Sequence, residues 1–74
     1  MALAKVVDRY LLENNLHVLD TEISHSEFVY ITTDGAHPRY RYSLHSPEML
    51  QHEMGRNDWR DIWLGVREVQ TALF

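Results

Sequence analysis

The sequence contains no cysteine, only three glycines and two prolines, and no apolar run of the roughly 20 residues that a membrane span requires. Without cysteine the chain forms neither a disulfide nor a thiolate metal site, and catalysis by a cysteine nucleophile is excluded. Glycines at positions 35, 55 and 65 alone do not make a phosphate-binding loop, a dinucleotide fingerprint or a nucleophile elbow. We therefore expect a cytoplasmic protein that is not an enzyme and carries no cofactor.

Positive charge is also scarce, because 7 Lys+Arg stand against 11 Asp+Glu and give a formal net charge of −4. Residues 1–34 hold two basic and six acidic side chains, whereas residues 35–74 hold five of each. We therefore expect the first half of the chain to form an acidic face. Its members are Glu13, Asp20, Glu22, Glu27 and Asp34. A chain of this charge is repelled by a nucleic-acid backbone unless its arginines gather on one patch.

The first part of the chain changes from a helical period to a strand period. An apolar stripe at spacings of three and four predicts a helix that ends at Asn14 and Asn15, since asparagine tolerates the left-handed backbone that ends helices. The stripe consists of Leu3, Val6, Val7, Tyr10 and Leu11. Residues of strand-favouring type and alternating polarity follow, interrupted by two polar turns. They predict strands over 16–24, 28–33 and 39–44.

The second part of the chain has the capping residues and the apolar spacing that predict two consecutive helices. Ser46, Pro47 and Glu48 have the features of a helix start, because serine caps free N–H groups and proline fits the first turn. Gly55 is expected to end this helix, and an Asn-Asp pair offers a cap for the next one. An apolar stripe then predicts a last helix, and its members are Trp59, Ile62, Trp63, Val66, Val69 and Leu73.

These elements predict one domain over residues 1–74, because a second domain does not fit in a chain of this length. The predicted fold class is α+β, in the order α-β-β-β-α(α), with a three-stranded antiparallel meander and helices packed on one face. The opposite face of that sheet is then left open. It displays the side chains of Asp20, Glu22, Arg39, Arg41 and Ser43.

Arginine and aromatic residues beyond those that the small core requires indicate a binding surface. Arginine outnumbers lysine six to one, and its planar guanidinium group pairs with carboxylates and stacks on aromatic rings. Leu12 and Leu64 also lie outside the apolar stripes of the predicted helices. The candidate partner-binding residues are Arg39, Arg41, Arg56, Trp59, Arg60, Leu64 and Leu12.

Four residues at one end of the predicted sheet are the candidates for a metal site with nitrogen and oxygen ligands. They are His25, His45, Glu48 and His52, of which the last two are four residues apart on the predicted short helix. Their spacing matches no known metal motif, and histidines near turns are common on surfaces. We therefore expect no bound metal at this set.

The absence of catalytic motifs and the arginine and aromatic residues together favour a small non-enzymatic protein-binding module. Such a chain acts as an inhibitor or regulatory accessory protein, of the kind that phages and mobile elements encode, through its aromatic and arginine surface or by forming a homodimer. The alternative is a nucleic-acid-binding α+β domain that uses Arg39, Arg41 and the arginines of the last helix, Arg56, Arg60 and Arg67.

Overall fold

In the computed structural model, which describes residues 3–65, one helix precedes a sheet of five antiparallel strands. Each strand pairs with its neighbours in the chain, so the sheet is a meander in the order β1-β2-β3-β4-β5. The elements are α1 (Lys5–Glu13), β1 (Asp20–Ser24), β2 (Phe28–Thr32), β3 (Tyr40–Ser43), β4 (Ser46–Gly55) and β5 (Asp58–Trp63). No helix within residues 3–65 has the length and apolar character needed to cross a membrane.

The predicted first helix is confirmed, and so is its end. Asn15 adopts a left-handed backbone with φ 58°, directly after the C-cap residue Asn14. The N–H of Leu16 then donates to the carbonyl of Leu11 at 2.9 Å, and the N–H of Asn15 to that of Leu12 at 3.1 Å. This Schellman pattern satisfies two carbonyls that a helix end otherwise leaves free. It turns the chain towards the sheet.

The three predicted strands are present as β1, β2 and β3, although β1 begins at Asp20 rather than at the predicted residue 16. The turn between β1 and β2 has two residues with positive φ, His25 at 54° and Ser26 at 58°, and the N–H of Glu27 donates to the carbonyl of Ser24 at 3.0 Å. Positive φ at both central residues is the geometry that matches the twist of a tight hairpin. The loop from β2 to β3 contains Gly35 at φ 69°.

The predicted fold class is wrong in its second half. Residues 46–55 and 58–63 form the strands β4 and β5, so the sheet has five strands rather than three, and α1 is the single helix of the described residues. The segment around Gly55 and Asn57 (φ 60°) is a hairpin turn rather than a helix end followed by a cap. The predicted helix residues Val66, Val69 and Leu73 lie outside the described residues.

The core lies between α1 and one face of the sheet. Its fully or nearly fully buried members are Val7, Leu11, Val29, Ile31, Tyr40, Tyr42 and Leu50. They come from α1 and from the three central strands, and α1 itself contacts β4. The hydroxyl of Tyr42 also accepts a hydrogen bond from the N–H of Ala4 at 3.1 Å, which fixes the start of α1 on β3. The opposite face of the sheet, called the open face below, has no helix over it in the described part.

Candidate functional site: the open face of the sheet

One row of side chains crosses the open face from edge to edge. Strand register places one residue of each strand opposite the next in this row, which is called the central row below. Its members are Glu22, Tyr30, Arg41, Gln51 and Asp61. Because alternate residues of a strand point to the same face, all five belong to the open face.

Hydrogen bonds connect four of the five members of the central row. Arg41 Nε donates to Gln51 Oε1 at 2.7 Å, and Gln51 Nε2 donates to Asp61 Oδ1 at 2.8 Å. Arg41 Nη1 also donates to the hydroxyl oxygen of Tyr30 at 3.4 Å, the longest contact of the series. The positive charge of Arg41 is thereby linked through an amide to the carboxylate of Asp61. The linkage ties β2, β3, β4 and β5 together on this face.

Three aromatic rings surround the guanidinium group of Arg41. Its central carbon lies 4.1 Å from the ring centre of Trp59, 5.1 Å from that of Phe28 and 6.0 Å from that of Tyr30. The rings of Tyr30 and Trp59 meet edge to face at 6.2 Å and 75°. These distances are those of cation–π contacts and of paired aromatic rings. Phe28, Tyr30, Arg41 and Trp59 are called the aromatic–arginine cluster below. All four are half-buried.

Carboxylates surround the aromatic–arginine cluster on the open face. The charged residues that strand register places on this face are the acids Asp20, Glu22, Glu53 and Asp61 and the base Arg41. Glu53 Oε1 lies 3.0 Å from His37 Nε2. Arg39 Nε lies 3.1 Å from Asp34 Oδ1, although the direction of that contact is not that of a hydrogen bond. The open face is therefore aromatic and acidic around one enclosed cation.

The structure divides the predicted partner-binding residues among several surfaces. Trp59 and Arg41 lie on the open face, whereas Arg39 precedes β3 and lies beside Asp34 of the β2–β3 loop. Arg60 pairs with His52 on the face that α1 covers, and Arg56 lies in the turn between β4 and β5. Leu64 is half-buried and packs against the core, whereas Leu12 of α1 is 67% exposed. Arg67 lies outside the described residues.

Four members of the central row and the aromatic–arginine cluster were missed by sequence reasoning, namely Phe28, Tyr30, Gln51 and Asp61. Phe28 and Tyr30 alternate with Val29 and Ile31, so the whole strand reads as apolar and does not reveal which residues face the core. The aromatic type of both residues was the available signal. Gln51 and Asp61 carried no signal, because their roles depend on β4 lying beside β3 and on β5 lying beside β4.

The predicted acidic face is likewise spread over several elements. Asp20 and Glu22 lie on the open face of β1, and Glu27 is in the turn that follows β1. Asp34 belongs to the loop after β2, and Glu13 is the last residue of α1. Only Asp20 and Glu22 therefore share one strand and one face.

The four metal candidates do not form a cluster. His25 lies in the β1–β2 turn, where its Nδ1 is 3.0 Å from Ser24 Oγ, and His45 lies in the turn before β4. Glu48 and His52 belong to β4, so their expected place on a helix is wrong. Within residues 3–65 no group of three or more His, Cys, Asp or Glu side chains is arranged to hold a metal ion.

His52 packs instead on a core tyrosine. Its ring stacks on that of Tyr40, with 4.4 Å between centres and 6° between planes. Burial raises the pKa of the Tyr40 phenol above its ordinary value, and the negative charges of ionised Tyr10 and of Asp34 raise it further. The neutral phenol is therefore the form that the folded chain stabilises.

A cleft lies between α1 and the end of β5. This cleft has a volume of about 260 Å³, and its walls include Val6, Tyr10, Ile62 and Trp63. Gly65, at φ 65°, borders it, and a Cβ atom there would lie 2.7 Å from Trp63 Nε1. Close approach of the indole to the backbone therefore requires glycine at this position.

Comparison of the chain with models of protein families, with curated proteins and with solved structures finds no match.

Proposed function

We propose that the chain is a small non-enzymatic protein-binding module whose open sheet face contacts the partner. The single observation that carries the proposal is the aromatic–arginine cluster, which lies on the face that α1 does not cover. Tryptophan, tyrosine and arginine are the residue types that most often dominate the binding energy of protein interfaces. Here all three types meet around one guanidinium group.

The cluster is held in place before any partner arrives. Gln51 fixes the Nε of Arg41, and Asp61 in turn fixes Gln51. Each long side chain that is already ordered avoids an entropy cost of about 0.5–1.5 kcal/mol on binding. Pre-organisation of this kind favours recognition by a rigid surface over folding of the surface upon binding.

The charges of the open face support a protein partner over a nucleic acid. Asp20, Glu22, Glu53 and Asp61 surround the aromatic rings, whereas single-stranded nucleic acids require a positively charged groove beside the stacking rings. Arg60 lies on the opposite face, so the arginines of the alternative hypothesis do not form one patch. Nucleic-acid binding through Arg39 and Arg41 is retained as an outcome of the test.

A module of this design fits the role of an inhibitor or regulatory accessory protein, such as phages and mobile elements encode. Its cysteine-free composition supports a cytoplasmic location. The partner is a different protein or a second copy of the chain, and both modes use the same face.

The test compares what co-purifies with four tagged forms of the full chain, of which the first three are wild type, Trp59→Ala and Leu12→Ala. Trp59→Ala removes the ring closest to Arg41, and Leu12→Ala removes an exposed leucine from α1, so the second variant is the control. Thr32→Arg, a fourth form, places a long side chain on the open face and leaves the cluster intact. Circular dichroism establishes that each variant is folded.

We expect wild type and Leu12→Ala to retain a bound partner protein in the co-purification. If the partner is a second copy of the chain, light scattering detects the dimer. Trp59→Ala and Thr32→Arg lose the partner. Retention by all four forms would refute an open-face interface. Capture of nucleic acid, weakening steeply with salt and dependent on Arg41, would favour the alternative instead.

A further inference from the structure

The strand β1 has a free outer edge in the described part of the chain, because the sheet order places it first. An edge strand presents backbone N–H and C=O groups that point away from the sheet and can pair with another strand. Acceptance of an added strand is a common mode of peptide recognition. The side chains along this edge determine which strand fits.

Two exposed apolar side chains lie along this edge. The side chain of Leu19 is 65% exposed and that of Ile23 is 41% exposed. Leu19 precedes β1, but its N–H donates to the carbonyl of Thr32 at 2.8 Å. Both side chains are exposed because α1 contacts β4, three strands away, and does not reach β1. The sheet therefore ends in two apolar side chains that no described element covers.

The same strand is acidic on the open face. Asp20 and Glu22 are both exposed, and each points to the side opposite Ile23. A second copy of β1 paired with this edge would bring acids opposite acids, and like charges directly opposite each other are destabilising. A strand with basic residues at the corresponding positions would be attracted.

We infer that the edge of β1 binds an extended segment of a partner protein in which basic and apolar residues alternate. Basic side chains of that segment lie beside Asp20 and Glu22, and its apolar side chains lie beside Leu19 and Ile23. Backbone hydrogen bonds to β1 supply affinity, and the alternation supplies specificity. This surface adjoins the aromatic–arginine cluster, since Glu22 lies opposite Tyr30, but the added strand binds through the backbone edge of β1 and does not depend on the function proposed for the cluster.

The charge distribution of the chain fits this partner. Residues 1–34 hold six acidic side chains and two basic ones, so a basic segment is attracted towards the half of the chain that includes β1. The opposite edge strand, β5, alternates differently, with Arg60 and Asp61 adjacent. The two edges therefore differ in the segment that each would accept.

The test is an NMR titration of the ¹⁵N-labelled full chain with a synthetic peptide of alternating lysine and isoleucine, acetylated and amidated at its ends. Two peptides serve as controls. The first control peptide has the same composition, with its lysines and isoleucines in separate blocks. The second has methyl groups on alternate backbone nitrogens, so that it cannot donate hydrogen bonds to β1. Binding of the alternating peptide is expected to shift the amide signals of residues 19–24 and of β2.

Variants of the chain test the acids directly. Asp20→Asn with Glu22→Gln is expected to weaken binding about three- to tenfold, as loss of two cross-strand charge pairs implies. Asn retains the side-chain oxygen that accepts the N–H of Thr21 at 2.9 Å. Asp8→Asn with Asp58→Asn removes the same charge from α1 and from the far edge, and is expected to change binding less than twofold.

The inference fails if the alternating peptide does not bind, or if the block or methylated peptide binds equally well. It also fails if the two double variants have the same effect or if the shifted signals lie on β5. Trp59→Ala is expected to bind the peptide with the same affinity as wild type. Failure of peptide binding at β1 can therefore be distinguished from failure of the open-face interface.

Discussion

The guanidinium carbon of Arg41 lies 4.1 Å from the ring centre of Trp59, although the two residues belong to β3 and β5, with β4 between them. The indole therefore reaches across β4 to cover the charge. This contact joins the cross-strand hydrogen bonds of the central row to the aromatic rings. It makes the open face a fixed surface rather than a set of independent solvated side chains.

Replacement of Arg41 by methionine is expected to lower the free energy of unfolding by about 1–2 kcal/mol. Methionine keeps an unbranched apolar stem but loses the cation–π contacts, worth about 0.5–1 kcal/mol, and the hydrogen bond to Gln51, worth about 1 kcal/mol. Urea denaturation measures the difference. Arg60→Met, on the exposed part of β5, is the matched control, and an equal effect of both substitutions would show that Arg41 has no special role.

Replacement of Tyr42 by phenylalanine is expected to cost about 1 kcal/mol of stability. The substitution keeps the buried ring but removes the oxygen that accepts the N–H of Ala4, and α1 has no side-chain cap to replace it. Hydrogen exchange of the first turn of α1 should accelerate along with the loss. Tyr30→Phe, which removes only the 3.4 Å contact with Arg41, is the comparison. Unchanged exchange in Tyr42→Phe would refute the tether.

Stability is expected to fall as the pH rises above about 10, the ordinary pKa of tyrosine. The folded chain raises the pKa of Tyr40, mainly through burial, so above that pH the unfolded chain releases a proton that the folded chain retains. The stabilisation is thus complete below the unfolded pKa and is lost as the pH rises through the folded one. Tyr40→Phe, which keeps the ring beside His52, should show a smaller decline in urea denaturation between pH 9 and 11. An identical decline would contradict the assignment.

Alanine is expected to be tolerated less well at Gly65 than at Gly35. Both glycines have positive φ, which costs a residue with a Cβ about 1–2 kcal/mol. A Cβ at Gly35 meets nothing within 4 Å, whereas one at Gly65 lies 2.7 Å from Trp63 Nε1. Gly65→Ala should therefore also change the tryptophan fluorescence, and Gly35→Ala should not. Equal spectra for both variants would argue against the packing of the indole on Gly65.

The first helix, its asparagine end and the first three strands could be predicted, because each carries its own local signal. Helical spacing ends at Asn14, and strand residues alternate on both sides of a tight polar turn. The open-face positions of Asp20, Glu22 and Arg41 also followed from the alternation of β1 and β3.

The last two strands could not be predicted for a physical reason. Glu48, Met49 and Leu50 favour helices, and tertiary pairing with β3 overrides that preference. In β5, Trp59 faces one side of the sheet and Ile62 the other, so apolar residues on both faces imitate a helical spacing. The partners of Arg41 depended on these strands, and therefore the cluster could not be assembled from the sequence.

Site-specific photo-cross-linking tests whether the open face is a protein interface. A photoreactive amino acid is placed in turn at Thr32, on the open face, and at Leu12, on the exposed side of α1, in the full chain expressed in its native cells. If partners bind the open face, we expect a discrete protein adduct from position 32 and none from position 12. An adduct from position 12 alone, or from neither position, would contradict an open-face interface.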